Sequence, residues 1–349
     1  IMGAASRSLA LALLLCASLL LASAAASSEM LMMTNRFHAW RAAHNRTYAI
    51  AAEHQRRFEV YRRNVEYIEA TNRRGGLSYQ LGENQFTDLT SDEFLAAYTM
   101  APGLVLAARD DEPVTRKLDA ATSRNSSYSG DAFGQVPYSV DWRARGAVTP
   151  IKHQMTSGSC WALAAVASIE SLYKLRTGRL VSLSEQELVD CASPPNYGCG
   201  GGDPATTMWW VARNGGLATT WEYPYESKQG QCRRGRIQVG RIRGGAAVAP
   251  NSEAALERAV AQQPVVVSIN AITFQHYKGG VLSGPCDAVI NHAVIVVWNG
   301  ADAGGHKYWI VKNSWGDAWG ENGYVRMERR VGVREGLCGI ASMPYYPVM

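Results

Sequence analysis

Gln154-Met155-Thr156-Ser157-Gly158-Ser159-Cys160-Trp161, running into Ala162 to Arg176, is the stretch on which the reading of the chain turns. A loop of small residues leads to a cysteine, and an apolar pattern of helical period begins directly after it. Ala162, Ala165, Val166, Ile169, Leu172 and Tyr173 recur at three- and four-residue spacings, which predicts a buried helix. Cys160 then stands at a helix start, where unpaired N–H groups and the helix dipole favour negative charge. A nucleophilic cysteine needs that charge, because the thiolate attacks and the thiol hardly does. A small thiol buried in a core is the competing reading, and this stretch alone leaves both open.

Two further stretches decide between them. Asn291-His292-Ala293-Val294-Ile295-Val296-Val297 puts a histidine at the head of a β-branched run that predicts a buried strand. Lys307 to Lys312 predicts a neighbouring strand that leads into Asn313-Ser314-Trp315-Gly316. A helix-start Cys, a strand-start His and a strand-end Asn are the parts of a thiolate–imidazolium pair with an amide to orient it. His292 follows Cys160 by 132 residues and Asn313 follows it by 153. With these residues and this spacing the chain resembles the papain-like cysteine proteases over nearly its whole length.

The 349 residues are 47% hydrophobic, enough for a large core and for two or three domains. The net charge of +5 is mild, and its positive excess lies after residue 133 as scattered Arg and Lys, which predicts a solvated basic face and no nucleic-acid partner. Arg7, the apolar run Leu9 to Leu21 and Ala22-Ser23-Ala24-Ala25-Ala26 predict a secretory signal peptide over 1–26. No run is long enough to span a bilayer comfortably, so no membrane partner is expected. The secretory route implies an oxidising compartment, with a vacuole, a lysosome-like compartment or the extracellular space as destination. Asn45-Arg46-Thr47 and Asn125-Ser126-Ser127 are candidate glycosylation triplets.

From about Phe37 to Asn72 the chain is predicted helical. Glu53, Arg57, Tyr61, Asn64, Ile68 and Asn72 fall on one helical stripe. An ordinary amphipathic surface would look similar, but the six positions match the interspersed motif of papain-like propeptides, with Tyr61 where Phe is usual. Gly82 to Asp88 matches the second motif of that propeptide. The resemblance therefore implies an inhibitory propeptide over 27–133, which would act as the enzyme's own inhibitor. Residues 101–135 carry no periodic pattern and predict an extended linker open to proteolysis. Val136 to Trp142 looks like a mature amino terminus of the family.

The peptidase part, 134–349, is predicted as α+β: a helical half over about 143–245 and a β-barrel half over about 246–349, with the cleft between them. Ser184-Glu185-Gln186-Glu187 predicts a capping box, Asp203-Pro204 to Gly215 a capped helix, and Ser252 the cap of a last helix. Strands are predicted at Val265 to Ile269, His292 to Trp298, Lys307 to Lys312 and Tyr324 to Glu328.

On this reading Cys160 is the nucleophile, His292 the base and Asn313 the residue that fixes the imidazole. The resemblance implies that Gln154 and the Cys160 backbone N–H serve the oxyanion, and that Trp315 covers the His–Asn bond from water. It implies that Gly201 and Gly202 bind substrate backbone. Pro204, Ile290, Ala293 and Met343, with Asn291, would line the substrate cleft and favour an apolar side chain two residues before the cut. His153 is a rival base by sequence proximity, against plain surface exposure. No Cys-x-x-Cys or His-x-x-x-His pair occurs, so no metal site and no cofactor is expected.

Six cysteines follow the signal peptide, which invites three bridges but would consume the nucleophile. The resemblance pairs Cys191 with Cys232 and Cys286 with Cys338. It leaves Cys199 unpaired, because Ser157 stands where the family has Cys. Met155 stands where the family has Gly, a residue that often marks a positive φ. The resulting expectation is a monomeric cysteine endopeptidase made as an inactive zymogen, acting on peptide or protein substrates and open to cystatin-type inhibitors. A catalytically silent peptide-binding or storage relative is the alternative, supported only by the altered 155–157 loop. A transpeptidase using the same acyl-enzyme is a third reading.

Overall fold

The structure, a computed structural model, describes residues 2–100, 139–194 and 196–349, with side chains from Ser23 onward. The expected 101–135 linker, the triplet at Asn125 and the first residues of the expected mature terminus lie outside the described residues. The chain packs as two compact units, residues 1–67 with 87–89, and residues 68–86 with 90–349.

In the first unit, helix α1 spans Met2–Ala43 and helix α2 begins at Ala51 and runs to Arg73. The single helix expected from Phe37 to Asn72 is thus broken at 44–50. Asn45 there adopts φ 51°, a left-handed conformation that Asn tolerates better than most residues. Exposed Asn45 keeps its candidate triplet accessible. Phe37, Trp40, Phe58, Tyr61 and Val65 form the core, with Phe37 and Tyr61 ring centroids 5.0 Å apart. The polar members of the stripe grip residues 87–89. Arg57 is paired with Glu53 at 2.7 Å and donates to the Asp88 carbonyl at 2.9 Å. Asn64 donates to the carbonyls of Thr87 and Leu89 at 2.8 and 2.9 Å. The helical motif and the Gly82–Asp88 motif therefore meet in space.

In the second unit, Ile68 is buried, and Asn72 exchanges two hydrogen bonds with the backbone of Leu81. Leu81 ends strand β1 (Tyr79–Leu81), and helix α3 (Ser91–Tyr98) follows, opened by a reciprocal Thr90–Glu93 capping box. Helix α4 (Cys160–Thr177) is the centre of this unit. Residues from Cys160 to Leu172 are buried, Lys174 and Arg176 complement the dipole of its last turn, and Gly178 ends it at φ 75°. It packs against helices α5 (Glu185–Cys191) and α6 (Pro204–Asn214) and against the sheet. Ser184 caps α5, but the expected capping box is only half formed, because the Glu187 carboxylate instead takes the Ala218 backbone N–H at 2.6 Å. Asp203 caps α6 with Pro204 in the first turn, and Ser252 caps helix α7 (Glu253–Val260).

The strands are β2 (Val140–Asp141), β3 (Gly244–Ala247), β4 (Val265–Ile269), β5 (Tyr277–Leu282), β6 (His292–Ala301), β7 (Lys307–Lys312), β8 (Tyr324–Glu328) and β9 (Tyr345–Val348). They join β1 in one sheet of order β1-β5-β8-β7-β6-β4-β9-β3, with β2 on β6. Because β6 and β7 are antiparallel, the start of one lies beside the end of the other. That topology brings His292 next to Asn313. β5 was not among the predicted strands, since Gly279 and Gly280 disguise it. Gly280 sits at φ 92°, and a Cβ there would meet the Ser78 carbonyl at 2.4 Å, so only glycine lets β1 lie across it. Helical first half, sheet second half and the helical leader make an α+β architecture.

Candidate active site

Cys160 is the first residue of α4 and is fully buried. Burial pushes its thiol up to about 12, while the backbone N–H groups of Ala293, Trp161 and Cys160 itself pull the other way. Ala293, at the head of β6, packs in one buried cluster with Cys160. One residue before, His292 is buried, with Nε2 2.8 Å from Asn313 Oδ1. Its imidazole stacks on Trp315 at 4.7 Å between centroids. Burial holds the imidazole down at about 4, against the raising effect of the Asn313 hydrogen bond.

Gln154 is fully buried. Its Nε2 donates to the carbonyls of Tyr98 and Ser157 at 3.1 and 2.6 Å, and its Oε1 accepts from Ser314 Oγ at 2.6 Å. The Trp315 indole N–H also donates to the Tyr98 carbonyl, at 3.2 Å. The next two residues continue over the site. Thr99 has its carbonyl against Gly158, where an added Cβ would stand 3.2 Å from it, and Met100 donates its N–H to Asn291 at 2.7 Å. The Met100 side chain, 1% exposed, is buried in one apolar cluster with Cys160, Ala205, Ile290 and Ala293, against which Met343 packs.

Of the residues expected to line the substrate cleft, Ile290 and Ala293 belong to this cluster and Met343 packs against it. Pro204 is buried at the start of α6, and Gly201 and Gly202 follow the turn Gly198–Gly200 beside Cys199. Asn291 turns its Oδ1 away to accept the Ala271 N–H at 2.9 Å, so it offers its backbone carbonyl and not its side chain. His153 is half-buried, not surface-exposed as expected: its Nδ1 accepts the Met155 N–H at 2.9 Å and its backbone bridges to Trp315. Met155 takes φ 56°, a left-handed conformation that disfavours a side chain.

Disulfides join Cys191 to Cys232 and Cys286 to Cys338, while Cys160 and Cys199 are unbridged. Among the described residues no group of His, Cys, Asp and Glu could hold a metal, and no helix is long and apolar enough to cross a membrane.

Several residues at the site carry no local sequence signal. Tyr98, Thr99 and Met100 reach it from far along the chain, and Ser314 is legible only as the partner of Gln154. Tyr225 donates its hydroxyl to the Gln154 carbonyl at 2.8 Å. Behind Asn313, Lys312 donates to Thr149 at 2.7 Å, Thr149 to Glu170 at 2.6 Å, and Lys152 to Glu170 at 2.7 Å. Burial drops Lys312 to about 8, despite the nearby Glu170 carboxylate.

Residues 136–348 match the papain family cysteine protease description, and residues 37–94 match the cathepsin propeptide inhibitor domain. The chain is 43% identical over 320 residues to fruit bromelain of Ananas comosus, covering 91% of this chain and 87% of that one. It is 43% identical over 318 residues to the senescence-specific cysteine protease SAG39 of Oryza sativa subsp. indica, covering 90% of each. Among solved structures, a recombinant stem bromelain precursor superposes with a TM-score of 0.79 at 42% identity, covering 91% of this chain and 99% of that one. A bromelain protease from Ananas comosus in complex with the E64 inhibitor gives a TM-score of 0.60 at 46% identity, covering 61% and 100%.

Proposed function

The chain belongs to the papain family of cysteine proteases, as a cysteine endopeptidase with its own propeptide inhibitor domain, and from that premise we propose that Cys160, His292, Asn313 and Gln154 perform its chemistry. The observation that carries the proposal is His292, buried and held 2.8 Å from Asn313, directly before Ala293, which packs in one buried cluster with Cys160. In the uncovered site the thiol proton passes to His292 Nδ1. The helix start and the imidazolium then stabilise the thiolate.

The thiolate attacks the scissile carbonyl carbon, and the carbonyl π-pair moves to oxygen. Gln154 Nε2 and the Cys160 backbone N–H receive that oxyanion. Its collapse breaks the C–N bond as His292 returns a proton to the leaving amine, giving a thioester. Water then attacks the thioester, losing a proton to His292, and the acid departs with Cys160 restored. Asn313 keeps the imidazole plane aimed throughout, and Trp315 keeps water off its hydrogen bond.

The apolar surroundings of buried Met100 support a preference for a hydrophobic side chain two residues before the cut, contributed by Pro204, Ile290, Ala293 and Met343. The propeptide covers residues 27–133 and follows a signal peptide at 1–26, so the enzyme enters the secretory route and acts in a vacuole-like or extracellular setting. Cystatin-type inhibitors are further partners, and the enzyme works as a monomer. Acid-treated protein should hydrolyse an aromatic–Arg reporter peptide, and a thiol alkylator should abolish that hydrolysis. A protein that binds the reporter without cleaving it would instead be the silent relative.

A further inference from the structure

Between Arg213 and Arg243 the chain carries seven Arg and Lys against two acidic residues, an excess of five that equals its whole net charge of +5. The basic excess is therefore concentrated in this one segment. Segments 217–223 and 231–239 run side by side. Leu217 and Val239 exchange two backbone hydrogen bonds at 2.8 Å, and the Arg233 N–H donates to Tyr223 Oη at 3.2 Å. The Cys191–Cys232 disulfide ties this pair of segments to α5. Residues 228–237 are all exposed.

Only part of this charge is compensated. Arg233 lies 4.0 Å over the Tyr223 ring and pairs with Glu226 at 3.0 Å, and Arg243 donates to the Met349 carbonyl at 2.7 Å. Arg213, Lys228, Arg234, Arg236 and Arg241 are exposed and make no ion pair among the described residues. Trp221, between the two cross-links, is 93% exposed, which is unusual for so large an apolar side chain.

We propose that this face is a docking surface for a linear acidic polysaccharide. Six of the seven cations are arginines, whose forked donors match carboxylate and sulfate groups two bonds at a time. The ring of Trp221 offers a flat apolar platform for the C–H face of a sugar. The surface is held by a disulfide and backbone bridges, so little ordering is lost when a repeating anion lies along it. A membrane is disfavoured, because Trp221 and Ile237 are the only large apolar side chains this face exposes. The secretory destination proposed above favours glycans over nucleic acid. The loop also adjoins the cleft, since Tyr225 bonds the Gln154 carbonyl, so a tethered enzyme would keep its site beside the matrix.

The full chain carrying Cys160→Ala, which cannot cleave itself, is titrated with polygalacturonate, dextran sulfate, duplex DNA and phosphatidylserine vesicles at several salt concentrations. No peptide hydrolysis enters the readout, so a failure here is distinct from a failure of the peptidase reading. Binding to either glycan is expected to weaken with salt, and the two arms distinguish carboxylate from sulfate. Arg234→Gln/Arg236→Gln/Arg241→Gln should elute from the glycan at roughly half the salt concentration or less. Trp221→Ala should weaken glycan binding several-fold with an unchanged melting temperature. Absence of binding to both glycans would overturn the proposal. So would tighter binding to DNA or vesicles, or a Trp221→Ala variant that binds glycan as before.

Discussion

The carbonyl oxygen of Tyr98 accepts the side-chain amide of Gln154 at 3.1 Å, so the leading segment occupies the donor proposed for the oxyanion. A chain carbonyl sits where a reacting carbonyl would place its charge. On the proposed mechanism the same amide has two tasks, holding the precursor closed and stabilising the transition state.

Gln154→Ala separates those tasks from simple folding. Removing one oxyanion donor costs on the order of 10²–10³ in kcat. The same variant should be inhibited less by its own leading segment, because the Tyr98 carbonyl keeps only the Trp315 donor. Reporter hydrolysis and inhibition by a peptide of residues 27–100 measure the two effects. Full kcat in Gln154→Ala would remove Gln154 from the mechanism.

Opening of the precursor should follow pH with a definite sign. Burial holds His292 at about 4, and burial likewise holds His276 at about 4, both from an ordinary 6.5. His276 lies where its backbone carbonyl accepts the Gly82 N–H beside the β1–β5 pair. Each imidazole binds fewer protons in this buried setting than in water, and opening of the precursor is expected to expose both. The covered state is therefore favoured above pH 6.5 and loses that advantage as pH falls toward 4. Cys160 acts oppositely, its raised value favouring the covered state until pH climbs past its ordinary 9.0. Alkylation of Cys160 in the intact precursor should accelerate between pH 6.5 and 4, and His276→Phe should move that transition to lower pH. A pH-independent rate would count against both histidines.

Ser157→Cys should form a third bridge with Cys199. Ser157 is buried, and the Gly158 N–H already bonds the Cys199 carbonyl at 2.9 Å, so the two backbones run close. Closing the intervening 42-residue loop is worth up to about 4 kcal/mol. Met155→Gly should add about 1 kcal/mol by relieving the left-handed residue. Thermal melting and thiol titration of the denatured protein read both outcomes. Two free thiols in wild type and one in Ser157→Cys are expected, and a variant still reduced at 157 and 199 would contradict the loop path.

What could be read in advance follows from locality. Cys160, His292 and Asn313 sit at the ends of regular elements whose periodicity is strong, so their positions were legible without coordinates. The helix break at Asn45 was hidden because apolar residues on both sides keep a helical rhythm. Ser184 looked like half of a capping box, but Glu187 is claimed by Ala218, a contact set by tertiary packing. β5 was missed because its glycines serve the close approach of β1 and not its own strand propensity. Tyr98 to Met100 carry no motif, and their meeting with Gln154, Trp315 and Asn291 depends on chain closure that no local pattern records.

The central claim is that a single sulfur performs the cleavage. Acid-activated wild type and Cys160→Ala should be compared on the same reporter peptide, with melting curves taken for both. Cys160→Ala is expected to fold with an unchanged or slightly raised melting temperature, since Ala suits a helix start in an apolar site, and to hydrolyse nothing above the uncatalysed rate. Hydrolysis by well-folded Cys160→Ala at even a few per cent of the wild-type rate would contradict the account.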